Sequence, residues 1–153
     1  MIERHYVLLV ITFAAMIKAI KVFNSISVLL FSVILLLVYA YLPIMVDLNV
    51  EGVKDLHKQT FFYYAFGSFV IVNLIVRIGV TLGSRKLPEN LAAWIRAILF
   101  IINFYLASMI GFIGVINNTG HINPSSFGYL NFIGPIFLLV WGVGLIFFLF
   151  KKK

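Results

Sequence analysis

Asp47, Glu51, Asp55 and His57 lie within a single stretch, "VDLNVEGVKDLHK" (46–58), and with Asn49 they are the densest group of chemistry-bearing side chains in the chain. On a helix, Asp47, Glu51 and Asp55 would share one face at i, i+4 and i+8 and could offer oxygen ligands to a hard cation such as calcium. The local pattern argues otherwise. Val46, Leu48 and Val50 alternate with Asp47, Asn49 and Glu51, which is the period of a strand, and Gly52 ends it. A strand over this stretch scatters the carboxylates, and Val53 to Lys58 is then expected to turn helical. The segment is expected to be an ordered, solvated loop whose extended edge offers backbone groups to a partner, with a metal or catalytic site as the sharper alternative. His121, further along, is the other imidazole that could join it.

A second group is sparse and sits in apolar surroundings. Asn73 and Asn103 fall near the middle of long hydrophobic runs, Arg77 lies one turn beyond Asn73, and Arg96 enters the next run. Two antiparallel helices could bring the amides together as a clamp of about 0.6–2 kcal/mol. Lining a polar path is the alternative role. Arg77 and Arg96, with Arg85 and Lys86, form a basic cluster at one end, suited to snorkelling or to an anion or lipid-headgroup pocket.

Other chemistries lack their residues. The chain has no cysteine, which excludes disulfides, thiolate metal sites and cysteine nucleophiles. His5, His57 and His121 all lie outside the four long apolar runs, so facing histidines for an intramembrane haem are missing. No HExxH, no phosphate-cradling glycine loop and no serine triad pattern occurs. The expectation is a non-enzyme with no cofactor and no bound metal.

These residues must be positioned by membrane helices. Of 153 residues, 63% are hydrophobic and 11% charged, against roughly 45–50% and about 25% in soluble domains. Runs at 26–46, 60–82, 92–116 and 127–150 are each at least 21 residues long, and about 20 helical residues cross a hydrocarbon core. The fold expected is an all-α integral membrane protein: a bundle (26–153) of four transmembrane helices, or five, with a short strand-like or mixed outer loop. Residues 1–25 form an N-terminal apolar segment, either an interfacial helix or an extra span joined through Asn24-Ser25. A cleaved signal, or a start at Met16, are further readings of that segment.

Lys18 and Lys21, Arg85 and Lys86, and Lys151 to Lys153 fall on one side if the runs alternate, which makes that side the cytoplasm. Residues 47–59 and 117–126 then face outward, and the C-terminus lies inside. Localisation in the bacterial inner (plasma) membrane as a multi-pass protein follows. The net charge of +7 is thus topological, and no nucleic-acid partner is implied. Tyr39, Tyr41, Tyr63, Tyr64 and Tyr129 gather at the outer ends and Trp94 at the inner one; Trp141 alone lies deep, for packing or for a ligand.

Small residues recur at Gly79-x-x-x-Gly83, Ala93-x-x-x-Ala97 and Ala107-x-x-x-Gly111, with Gly114 continuing the last stripe, and favour close helix approach. Gly134-Pro135 invites a kink, and Gly142 and Gly144 leave a low surface beside Trp141.

Tyr41-Leu42-Pro43, then Val46-x-Leu48-Asn49-x-x-Gly52, with Lys58 before an apolar run, is similar to the outer loop of the SdpI-type immunity and signalling membrane proteins. The resemblance covers residues 26–75; that family usually carries a histidine where this chain has Leu48 or Asn49, and its stretch from Pro to Gly is longer. It implies an outer loop that follows the first helix. "KVFNSISVLLFSVILLLVYAYLP" and "GYLNFIGPIFLLVWGVGLIFFLFKKK" look like small uncharacterised bacterial inner-membrane proteins, which implies topology and no activity. The function expected is that of a scaffold, accessory subunit or regulator contacting membrane lipids and a protein partner, itself or another chain. A small transporter or channel with a polar path near Asn73, Asn103 and Arg77 is the alternative.

Overall fold

In the computed structural model the backbone is described for residues 2–118 and 127–150. The order is α1 (Ile2–Tyr41), β1 (Met45–Val46), β2 (Leu56–His57), α2 (Lys58–Ser84), α3 (Glu89–Arg96), α4 (Ile98–Ile116) and α5 (Leu130–Phe150). The chain is overwhelmingly helical, and three helical stretches, Ala15–Tyr41, Lys58–Ser84 and Leu91–Ile116, are long and apolar enough to cross a membrane. Phe132–Phe147 in α5 is a shorter apolar stretch.

The N-terminal segment and the first run are one helix, with no break at Asn24-Ser25. The reason is local. Ser25 Oγ donates back to the Lys21 carbonyl (3.2 Å) and Ser27 Oγ to the Asn24 carbonyl (2.8 Å), so these hydroxyls bond along the helix and do not cap a new one. At 1.5 Å per residue, the 40 residues of α1 extend about 60 Å. It ends at Tyr41, just before Pro43, earlier than the apolar composition of 26–46 implies.

The third run is interrupted. At Ala97 the backbone amide is shared between the carbonyls of Ala93 (3.2 Å) and Trp94 (3.1 Å), a tightening that separates α3 from α4. By contrast, α5 runs on through Pro135.

The strand expected over 46–51 does not form. Only a two-residue antiparallel ladder exists, Met45 opposite His57 and Val46 opposite Leu56. The alternation fails as a strand because Asn49 takes φ 52° and Gly52 φ 79°, both left-handed, and Val53 N–H closes a turn onto the Val50 carbonyl (3.1 Å). Nor does Val53 begin a helix: α2 starts at Lys58, capped by His57, whose Nδ1 accepts from Gln59 N–H (3.3 Å).

The buried centre joins α1, α2 and α4. Phe31 and Phe69 stack face to face at 3.9 Å, next to Leu35, Ala107 and Ile110. Val46, fully buried, ties the short ladder to this core with Leu42 and Phe61. Along the α1–α4 seam the small stripe is in use: Ala107 is buried, and a Cβ placed on Gly114 would come within 2.8 Å of Val38 Cγ2. Gly134 similarly admits the ring of Tyr105, which a Cβ there would overlap at 1.9 Å from Cδ2.

Candidate functional site

Four polar residues cross the apolar centre as one hydrogen-bonded line. Asn73 Nδ2 donates to Asn103 Oδ1 (2.7 Å), Asn103 Nδ2 donates to Ser27 Oγ (3.1 Å), and Ser27 Oγ donates to the Asn24 carbonyl. Asn73 Nδ2 also reaches the Phe69 carbonyl of its own helix (2.9 Å). The amides expected to meet do so, and Ser27, which the sequence left unremarked inside an apolar run, completes the line onto α1. Asn103 is 1% exposed and Ser27 0%. A buried amide without partners would cost several kcal/mol in hydrocarbon, so its saturation here stabilises the join of α1, α2 and α4.

One to two turns away, toward the end marked by Arg85 and Lys86, the three helices part around a cavity of about 670 Å³. Lys21 from α1, Arg77 from α2 and Arg96 from α3 line it, with Asn24, Ser25, Thr81 and the apolar Val28, Leu29, Val80 and Leu99. No carboxylate does among the described residues. The expected basic cluster is therefore regrouped: Arg77 and Arg96 come together with Lys21, while Arg85 and Lys86, in the turn after α2, are absent from the lining. Asn24 organises the site. Its Nδ2 donates to the Arg96 carbonyl next to the Ala97 interruption (3.3 Å), and its Oδ1 is buried without a hydrogen-bond partner among the described residues.

At the opposite end the loop is held by Asn117 at the end of α4. Asn117 Oδ1 accepts from Asp47 N–H (2.8 Å) and its Nδ2 donates to the Asp47 carbonyl (2.7 Å), the pairing a neighbouring strand would make. Asp47 Oδ1 in turn accepts from Asn49 N–H (2.6 Å). Asp47, Asn49, Glu51, Asp55 and His57 are all exposed, and among the described residues no three His, Asp or Glu side chains gather as a metal site. His121 lies outside the described residues. Lys58 is used structurally, donating Nζ to the Leu42 carbonyl (3.1 Å) over the ring of Tyr39.

Trp94 and Trp141 exchange hydrogen bonds, each indole N–H donating to the other's carbonyl (3.1 and 3.0 Å), and clasp α3 to α5. Gly144 makes room, since a Cβ there would stand 2.3 Å from Trp94 Cζ2. Trp141 is thereby engaged in packing. Gly79 and Gly83 on α2 have no atom of another described segment within 4 Å of where a Cβ would stand.

No family model matches the chain, and neither curated proteins nor solved structures include a match.

Proposed function

We propose that this chain is a multi-pass protein of the cell inner membrane, its C-terminus in the cytoplasm, that works by contact as a scaffold, accessory subunit or regulator of a larger membrane assembly. The observation that carries the reading is the outer surface of α2. Ile71, Leu74, Ile75, Ile78 and Leu82 form one exposed helical stripe. An apolar stripe alone is at home in lipid, but Gly79 and Gly83 beside it form a notch that nothing among the described residues fills. Glycine facing lipid weakens the helix and contributes no apolar area, whereas facing another helix it lets two backbones approach closely. The polar line through Asn73, Asn103 and Ser27 supports the same reading, because its hydrogen bonds join α1, α2 and α4 to one another.

Gentle solubilisation of native membranes and separation by size tests this. The expected result is a particle larger than one chain, reduced to a single chain by Gly79→Leu or Gly83→Leu without a lower thermal stability. A lone small particle from the unmodified chain would overturn it. A C-terminal reporter active only in the cytoplasm is expected to be active, and an inactive one would reverse the topology.

A further inference from the structure

The cavity beside Asn24 has a composition that a simple gap between helices does not need. Three cations line it from three separate helices, with no acid among the described lining residues to neutralise them. Arginine forks match the oxygens of a phosphate better than those of solvent, and two forks with one lysine suit a group of one to two negative charges. The Asn24 amide ties the wall together, its Nδ2 held by the Arg96 carbonyl and its Oδ1 buried beneath the surface. Val28, Leu29, Val80 and Leu99 complete the wall with apolar surface. The volume, about 670 Å³, falls in the range of roughly 300–1,000 Å³ typical of small-molecule sites.

We propose that this cavity binds a phosphate ester, with Lys21, Arg77 and Arg96 on the phosphate and the apolar wall against the ester's carbon atoms. Two sources share this chemistry: the headgroup of a phospholipid such as phosphatidylglycerol, and a soluble ester such as glycerol 3-phosphate. The first rests on the membrane reading above; the second does not.

Two arms distinguish them. Delipidated chain is reconstituted into phosphatidylcholine nanodiscs with limiting phosphatidylglycerol, and retained lipid is counted by native mass spectrometry; detergent-solubilised chain is titrated calorimetrically with glycerol 3-phosphate. Saturable binding of one molecule per chain in either arm supports the site and names its source. Arg77→Gln and Arg96→Gln are each expected to weaken it about tenfold. Ser25→Trp, which fills the cavity without changing charge, is expected to abolish binding, and the double variant R85Q/K86Q to leave it unchanged. Circular dichroism checks each variant's fold, and Lys21→Gln substitutes for any arginine variant that unfolds. No saturable binding in either arm, an intact site in Ser25→Trp, or a loss in R85Q/K86Q equal to that in the arginine variants would overturn the proposal. Extraction of the native chain from membranes by alkaline carbonate would overturn the membrane reading separately, and the soluble arm would still decide the site.

Discussion

The chain carries two glycine-containing stripes of similar spacing, and they have opposite fates. On α4, Ala107, Gly111 and Gly114 lie against α1, where Val38 occupies the space a side chain on Gly114 would need and Ile34 comes to contact distance of Gly111. On α2, Gly79 and Gly83 face open space among the described residues. Spacing therefore confers the ability to approach a neighbour, and a neighbour's side chains decide whether that ability is used. The filled stripe builds the chain's own core; the empty one is the place to look for a second molecule.

Substitutions can break this contrast or sharpen it. The largest effect is expected at the tightest approach: Gly134→Leu, which collides with the Tyr105 ring, should cost about 3 kcal/mol by overpacking, and Gly114→Leu against Val38 a similar amount. Thermal unfolding in detergent measures both, and stability unchanged in either would mean that the seam is loose. Asn103→Leu comes next. It leaves the Asn73 amide and Ser27 short of a partner and should cost about 2 kcal/mol, with the double Asn73→Leu/Asn103→Leu variant less destabilised than the sum of the singles. If that double variant folds normally and loses a measurable solute flux, the polar line is a path and the contact reading of the bundle falls. Asn117→Ala should cost about 1 kcal/mol and raise amide exchange at Asp47, whose N–H it satisfies; unchanged exchange there would show that the loop holds itself. The smallest change in stability, within about 0.5 kcal/mol, is expected for Gly79→Ala. A large destabilisation there would mean that the notch is already filled within one chain.

The long-range polar contact between Asn73 and Asn103 was legible because polar groups in apolar runs have few partners to choose from. Helix existence was legible for the same kind of reason: apolar length dominates composition. Boundaries followed finer forces. Asn24 and Ser25 look like a break in sequence, yet their side chains bond to the Arg96 carbonyl of another segment and to the helix's own backbone. The loop departs from its period-two patterning at two left-handed residues, Asn49 and Gly52, since periodicity describes side chains and carries no information on φ at Asn49. Lys21 joined Arg77 and Arg96 only through the packing of three helices, and no local pattern encodes that. Arg85 and Lys86 sit close to Arg77 in sequence, but the turn after α2 leaves them outside the cavity lining.

The polar line at Asn103 also acts as a ruler. Arg77 stands four residues after Asn73 within α2, close to one turn of helix, and Arg96 stands seven before Asn103 across the Ala97 interruption, so helical repeat in the first interval and repeat plus that interruption in the second set where the cations lie relative to the amides. One residue inserted into either interval would rotate everything beyond it by about 100°. Either the amides would lose each other or the arginine would leave the cavity, so the lengths of these two intervals matter as much as the residues at their ends.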